Sequence, residues 1–136
     1  MEIPVGKKHT QSWVVEPHML ASALGSGLVD VFATPMLVAL LELAASECIA
    51  PCLDEGMVSV GGHVQVSHTA ATPPGMSVRA TAEVTAVEGR RVDFSVFLED
   101  DVGEIGSGTH TRFIVGKQKF TSKAYNKLPE QETKRQ

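Results

Sequence analysis

Between residues 57 and 115 the chain carries four runs in which apolar side chains recur at every second position. That period belongs to strands with one covered face. In the first run Val58, Val60, Val64, Val66 and His68 share a parity. In the second, Met76, Val78, Ala80, Ala82 and Val84 face one way, and Ser77, Arg79, Thr81, Glu83 and Thr85 the other. In the third, Val92, Phe94, Val96 and Leu98 alternate with Arg91, Asp93, Ser95 and Glu99, with Phe97 out of phase. The fourth spans about 105–115. Turn signals at TPPG (72–75), EGR (88–90) and DDVG (100–103) separate them, so their spacing predicts an antiparallel meander. Residues 9–15, HTQSWVV, predict a short leading strand. Residues 16–31, punctuated by Pro17, Gly25 and Gly27, predict a loop, with SALGSGLVD a candidate lid.

The segment TPMLVALLELAASECIA predicts one helix over 35–50. Thr34 suits the N-cap, Pro35 the first helical position, and Pro51 the stop. Its residues are apolar nearly all round, which marks a buried helix, and it is too short to cross a bilayer. Strand, buried helix, then four antiparallel strands define an α+β arrangement: an antiparallel five-stranded sheet wrapped around one central helix, the hotdog fold. A single sheet of this kind leaves an edge strand and part of the helix uncovered. A second copy would hide both, so a homodimer is expected.

The 136-residue length fits one domain, read as residues 1–120 with a basic polar C-terminal tail over 121–136. In the last twenty residues Lys117, Lys119, Lys123, Lys127, Lys134 and Arg135 stand against Glu130 and Glu132; such a run reads as a solvated end. A net charge of -4 argues against nucleic acid. The opening residues show no apolar signal region, and no membrane partner is expected. Cys48 and Cys52, with no second pair, read as structural thiols in a reducing, cytoplasmic setting.

Glu42 is the one charge within the apolar part of the predicted helix. A carboxylate so placed is either a base or nucleophile in a dry pocket or a capped structural group. His68 ends the parity set of Val64 and Val66, so it is expected to face the helix and Glu42. His63 has the other parity unless Gly61 and Gly62 form a bulge, and is read as exposed. Thr34 sits where a helix N-terminus would polarise a carbonyl. About 12 Å of helical rise separates it from Glu42, so the two cannot bond directly. Gly61 and Gly62 mark a bulge or a close approach of ligand to backbone. Gly106 and Gly108 share a face with His110 and Arg112, leaving room for a ligand, a lid or a neighbouring element. Arg112 reads as an ion-pair partner or a substrate-phosphate contact. No HExxH, Walker A, GxGxxG or GxSxG pattern occurs, and the histidines lack metal spacing. No metal or redox cofactor is expected.

The stretches VFATPMLVALLELAA, VSHTAATPPGM, VEGRR and GEIGSGTH resemble the fluoroacetyl-CoA thioesterase branch of the hotdog superfamily, over about residues 5–125. The resemblance implies hydrolysis of acyl-CoA thioesters by a Thr, a Glu and a His, which fall on Thr34, Glu42 and His68. It places the glycine that contacts the thioester carbonyl on Gly61 and the pocket arginine on Arg112. It also implies a dimer with the site near the subunit interface, with coenzyme A carried by the substrate. Leu28 stands where the fluoroacetyl-selective enzyme has an aromatic gate, within a shorter, Gly-richer lid. A general short- or medium-chain acyl-CoA thioesterase is therefore the expectation. A non-hydrolytic acyl-CoA binding module and an enoyl-CoA hydratase or dehydratase are the alternatives on the same fold.

Overall fold

The alternation holds best on two strands. On β3 (Ser77–Glu88) Val78, Ala80, Ala82 and Val84 are buried; on β4 (Arg91–Asp100) Val92, Phe94, Val96 and Leu98 are buried. Phe97, out of phase, is 40% exposed. The computed structural model describes residues 2–129. Its remaining elements are β1 (Lys8–Val14), α1 (Ala21–Leu24), α2 (Thr34–Ile49), β2 (Met57–His68), β5 (Glu104–Gly116) and α3 (Lys117–Tyr125). All pairings are antiparallel, and the five strands form one sheet in the order β1-β3-β4-β5-β2. Helix α2 packs across it, mainly against β1 and β3, as a hotdog arrangement requires.

The sheet order corrects the predicted meander. Strands β3, β4 and β5 do follow one another, but β2 lies at the edge beside β5. Glycines allow this pairing: a Cβ at Gly108 would run into the Gln65 carbonyl of β2. The small residues of β5 therefore admit a neighbouring strand. Residues 69–76 carry the chain from one side of the sheet to the other. This link is pinned by Phe32 N–H on the Thr72 carbonyl (2.9 Å). The fully buried Thr72 hydroxyl donates to Asp100 Oδ2 at 2.8 Å.

Strand β2 does not keep one parity. Its register shifts between Gly61 and His63. Ser59 and Gly61 pair with the buried Ile114 and Arg112, while Val64, Val66 and His68 pair with His110, Gly108 and Gly106. Both sets therefore face the helix. Val58 and Val60 fall on the opposite face, Val60 beside the half-exposed Phe113. A bulge adds one residue to one strand, and one residue reverses every side chain before it.

Helix α2 starts at Thr34, with Ala33 as the N-cap and no side-chain cap. The capping role expected of Thr34 is thus corrected. Pro35 has no N–H, and Met36 and Leu37 both donate to the Ala33 carbonyl at 3.0 Å. Nor is the helix covered all round within one chain. Leu37, Leu40, Leu41, Ala44, Ala45, Cys48 and Ile49 are buried, but Val38, Ala39, Glu42, Leu43 and Ser46 form a half-exposed stripe. With the 3-10 turn that follows, Thr34–Cys52 spans 19 residues at mean hydropathy 1.5. That meets the length and composition of a membrane span, contrary to the sequence expectation, although the sheet occupies one side of it. The expected domain boundary at 120/121 falls inside α3; residues 130–136 of the tail lie outside the described residues.

Replacing Thr72 by Val removes the one side-chain donor to the buried Asp100 carboxylate among the described residues. A stability loss of about 1–3 kcal/mol is expected, read from denaturant midpoints; an unchanged midpoint would contradict the pinning role of this bond.

Candidate active site

The helix N-terminus and the end of β2 meet. Thr34 Oγ1 lies 2.8 Å from His68 Nδ1. The contact follows from the first helical turn: the backbone satisfies its own donors there, and the Thr34 hydroxyl is left for another partner. His68 Nε2 is buried with no hydrogen-bond partner among the described residues. Burial holds the His68 pKa below its ordinary value, with the Ala70 backbone acting against it. Thr34 and His68 border a cleft of about 280 Å³ also lined by Ala21, Ser26, Phe32 and Ala71. The lid segment thus forms one wall. Its neck is held by a bridge between Leu20 and Phe32 and by Ser22 Oγ donating to Asp30. Leu28 is 98% exposed and does not line the cleft.

Two helical turns along α2, a second group forms around Glu42. Its Oε2 lies 3.6 Å from Arg112 Nη1, with the Arg112 side chain 8% and the Glu42 side chain 40% exposed. Arg112 also donates to Ser59 Oγ (2.7 Å), to the Ser59 carbonyl (2.9 Å) and to His110 Nε2 (3.2 Å). Burial works against the guanidinium charge, and Glu42 works for it. A Cβ at Gly61 would collide with Glu42 Oε2. The carboxylate therefore stands directly against strand backbone. Such an arrangement can present a carboxylate oxygen to a carbonyl carbon or to a water, with the Arg112 guanidinium beside it.

The structure separates what the sequence reading joined. His68 faces Thr34, not Glu42. Gly61 marks the position of Glu42 on β2, and seven residues of strand from there to His68 span about 20 Å. Thr34 with His68, and Glu42 with Gly61 and Arg112, are two clusters within one chain. His63 is exposed. In the sequence His110 is marked only by the parity it shares with Gly106, Gly108 and Arg112. It is 1% exposed and bonded at both ring nitrogens, and only the strand register reveals that contact. Among the described residues no three His, Cys, Asp or Glu side chains group as metal ligands.

The family model for fluoroacetyl-CoA-specific thioesterase matches residues 15–118. The chain belongs to this family. The curated fluoroacetyl-CoA thioesterase of Streptantibioticus cattleyicolor is 43% identical over 131 residues, covering 92% of this chain and 94% of that protein. A solved variant of the thioesterase FlK, in complex with fluoroacetate and CoA, superposes with a TM-score of 0.82 at 43% identity. That match covers 86% of this chain and 98% of the other. A hot-dog-like protein from Thermanaerovibrio acidaminovorans superposes with a TM-score of 0.84 at 25% identity, over 95% and 96% of the two chains. This family member thus keeps the family's fold over nearly its whole length.

Burial depresses the pKa of both His68 and His110 in the folded chain. The unfolded chain therefore takes up protons first as the pH falls through about 6.5. The stability these two rings contribute is present above that value and is lost as the pH falls through their folded pKa values. Denaturant midpoints from about pH 8 to about pH 5 should decline on the acid side, and the decline should be smaller in His68→Gln. An identical profile in the variant would remove His68 from this account.

Proposed function

We propose that this protein hydrolyses short- or medium-chain acyl-CoA thioesters to the free acid and coenzyme A. We further propose that it works as a cytoplasmic homodimer in which Glu42 of one subunit meets Thr34 and His68 of the other. The observation that carries the reading is the Glu42 carboxylate, set against bare backbone at Gly61 and beside Arg112, in a member of a thioesterase family. Coenzyme A enters as part of the substrate, and the proposed chemistry calls on no metal or redox cofactor.

The proposed roles follow from placement. Glu42 attacks the thioester carbonyl or takes a proton from the water that does. Gly61 lets the thioester carbonyl come close to the strand, and Arg112 fixes the carboxylate. Thr34, donating to His68 Nδ1, leaves the proton on Nε2, the nitrogen without a protein partner. The Nε2–H donates a hydrogen bond to the sulfur of the departing thiolate and stabilises its charge, and the thiolate takes its proton from the water consumed in the hydrolysis. The exposed Leu28 puts no bulky group over the cleft, which favours a general acyl preference.

Three observations support the dimer. Within one chain Glu42 and His68 stand too far apart. Strand β2 is an open edge. The half-exposed stripe of α2 contains Glu42 itself. Antiparallel pairing of β2 with its copy, centred on Gln65, would set Gly61 opposite His68 of the second subunit, the bulged Gly62 being the unpaired residue. It would cover edge and stripe together. Both cysteines are free, in keeping with a reducing compartment.

Free-thiol release from a panel of acyl-CoAs should show a chain-length preference. Binding without release would instead indicate a binding module, and loss of enoyl absorbance without thiol would indicate hydratase chemistry. Glu42→Gln should lower turnover by about 10²–10⁴-fold while the chain remains folded; full activity would remove Glu42 from the mechanism. Mixing inactive Glu42→Gln and His68→Ala chains should restore about a quarter of wild-type activity, because half the dimers are mixed and each holds one intact site. No recovery after verified subunit exchange would refute the shared site.

A further inference from the structure

His110 is 1% exposed, yet both of its ring nitrogens are committed. Nδ1 lies 2.7 Å from the His63 carbonyl, and Nε2 lies 3.2 Å from Arg112 Nη1. A carbonyl oxygen only accepts and a guanidinium only donates. The ring is therefore neutral, with its proton on Nδ1 and a bare lone pair on Nε2. It stacks on Phe94, with centroids 6.1 Å apart and planes at 27°. Its Cε1 lies 3.3 Å from where a Cβ at Gly61 would stand. His63 is the first residue to pair after the Gly61–Gly62 bulge. One side of the ring thus holds the bulge. The other holds the guanidinium that stands 3.6 Å from Glu42.

We propose that His110 is a positioning residue for thioester hydrolysis: as the Nδ1–H tautomer it ties the Gly61–Gly62 bulge to Arg112 and so fixes where the Glu42 carboxylate stands. The inference rests on the proposed role of Glu42. The charged and titratable groups facing the ring are Arg112 on its own strand, Glu42 on α2 and His63 on β2; Phe94 of β4 supplies an apolar wall. Burial is the main influence keeping the ring neutral. Arg112 and His63 act with it, while the His63 carbonyl and Glu42 act against it. A proton on Nε2 would turn the acceptor into a donor facing a donor, and would set two cations in contact. The arrangement holds only while the ring is neutral.

Two substitutions divide the ring's functions. In His110→Asn the amide nitrogen can still donate to the His63 carbonyl, but nothing reaches Arg112. In His110→Gln the longer side chain can carry an acceptor to the former Nε2 position. His110→Asn should lower kcat by roughly 10–100-fold with KM little changed, and His110→Gln should recover much of the loss. Adding His110→Asn to Arg112→Lys should cost little beyond Arg112→Lys alone, because both act through one guanidinium. Independent, multiplying losses would overturn the proposal. Glu42→Gln is measured alongside. If it is inactive while His110→Asn is fully active, the positioning role falls alone. If Glu42→Gln is itself fully active, the reading beneath it falls. Should the His110 variants not fold, nitrogen NMR of the wild type decides. The Nδ1–H tautomer with Nε2 bare is expected at neutral pH, and an Nε2–H tautomer or an imidazolium there would overturn the proposal.

Discussion

The closeness with which α2 approaches β2 at Gly61 governs the geometry around Glu42. A carboxylate on a helix can touch a packed strand only where that strand has no side chain to offer. Gly61 provides the opening, since any Cβ there would meet the Glu42 oxygen. The bulge that begins at the same residue then reverses the facing of the strand. That reversal keeps Val64, Val66 and His68 toward the helix and turns the His63 carbonyl to the His110 ring. Without it the far end of β2 would turn Gln65 and Ser67 inward. His68 would then not reach Thr34.

Arg112 answers the electrostatic side of the same constraint. Glu42 is half exposed, so the cost of burial falls on Arg112, whose charge Glu42 supports. The guanidinium is itself nearly buried and is held by Ser59 and His110. Its donors are spread over β2, β5 and α2, so the three elements share one polar junction within an otherwise apolar core. Phe94, stacked on His110, ties that junction to the central strand β4.

What could be read from the sequence depended on how local the controlling interaction was. Strands β3 and β4 were legible because their polar and apolar residues alternate cleanly. Glu42 was legible because it interrupts an apolar helix, and Arg112 because its parity matched that of the β5 glycines. The facing of Val58 and Val60 was not legible, since two adjacent glycines do not reveal on which side of them a bulge reverses the strand. The place of β2 beside β5 was not legible either, because periodicity identifies strands and not their neighbours. The resemblance named Thr34, Glu42 and His68 together. Only strand length shows that they form two clusters, since the rise along β2 and along α2 fixes their separation.

The features left incomplete in one chain share a side of the molecule. Strand β2 ends the sheet there, the half-exposed stripe of α2 runs there, and the partly exposed face of Glu42 belongs to that stripe. In the proposed dimer one contact covers all three. Covering the edge by strand pairing also sets the register, and the register decides whether His68 of one chain falls beside Gly61 of the other. A slip of one residue would turn the side chains to the wrong face. A slip of two would move the clusters apart by about 7 Å, beyond the span of one thioester group. Assembly and chemistry are then constrained by the same few backbone bonds, so a mutation on the outer edge of β2 can disable the site without touching any residue that meets the substrate.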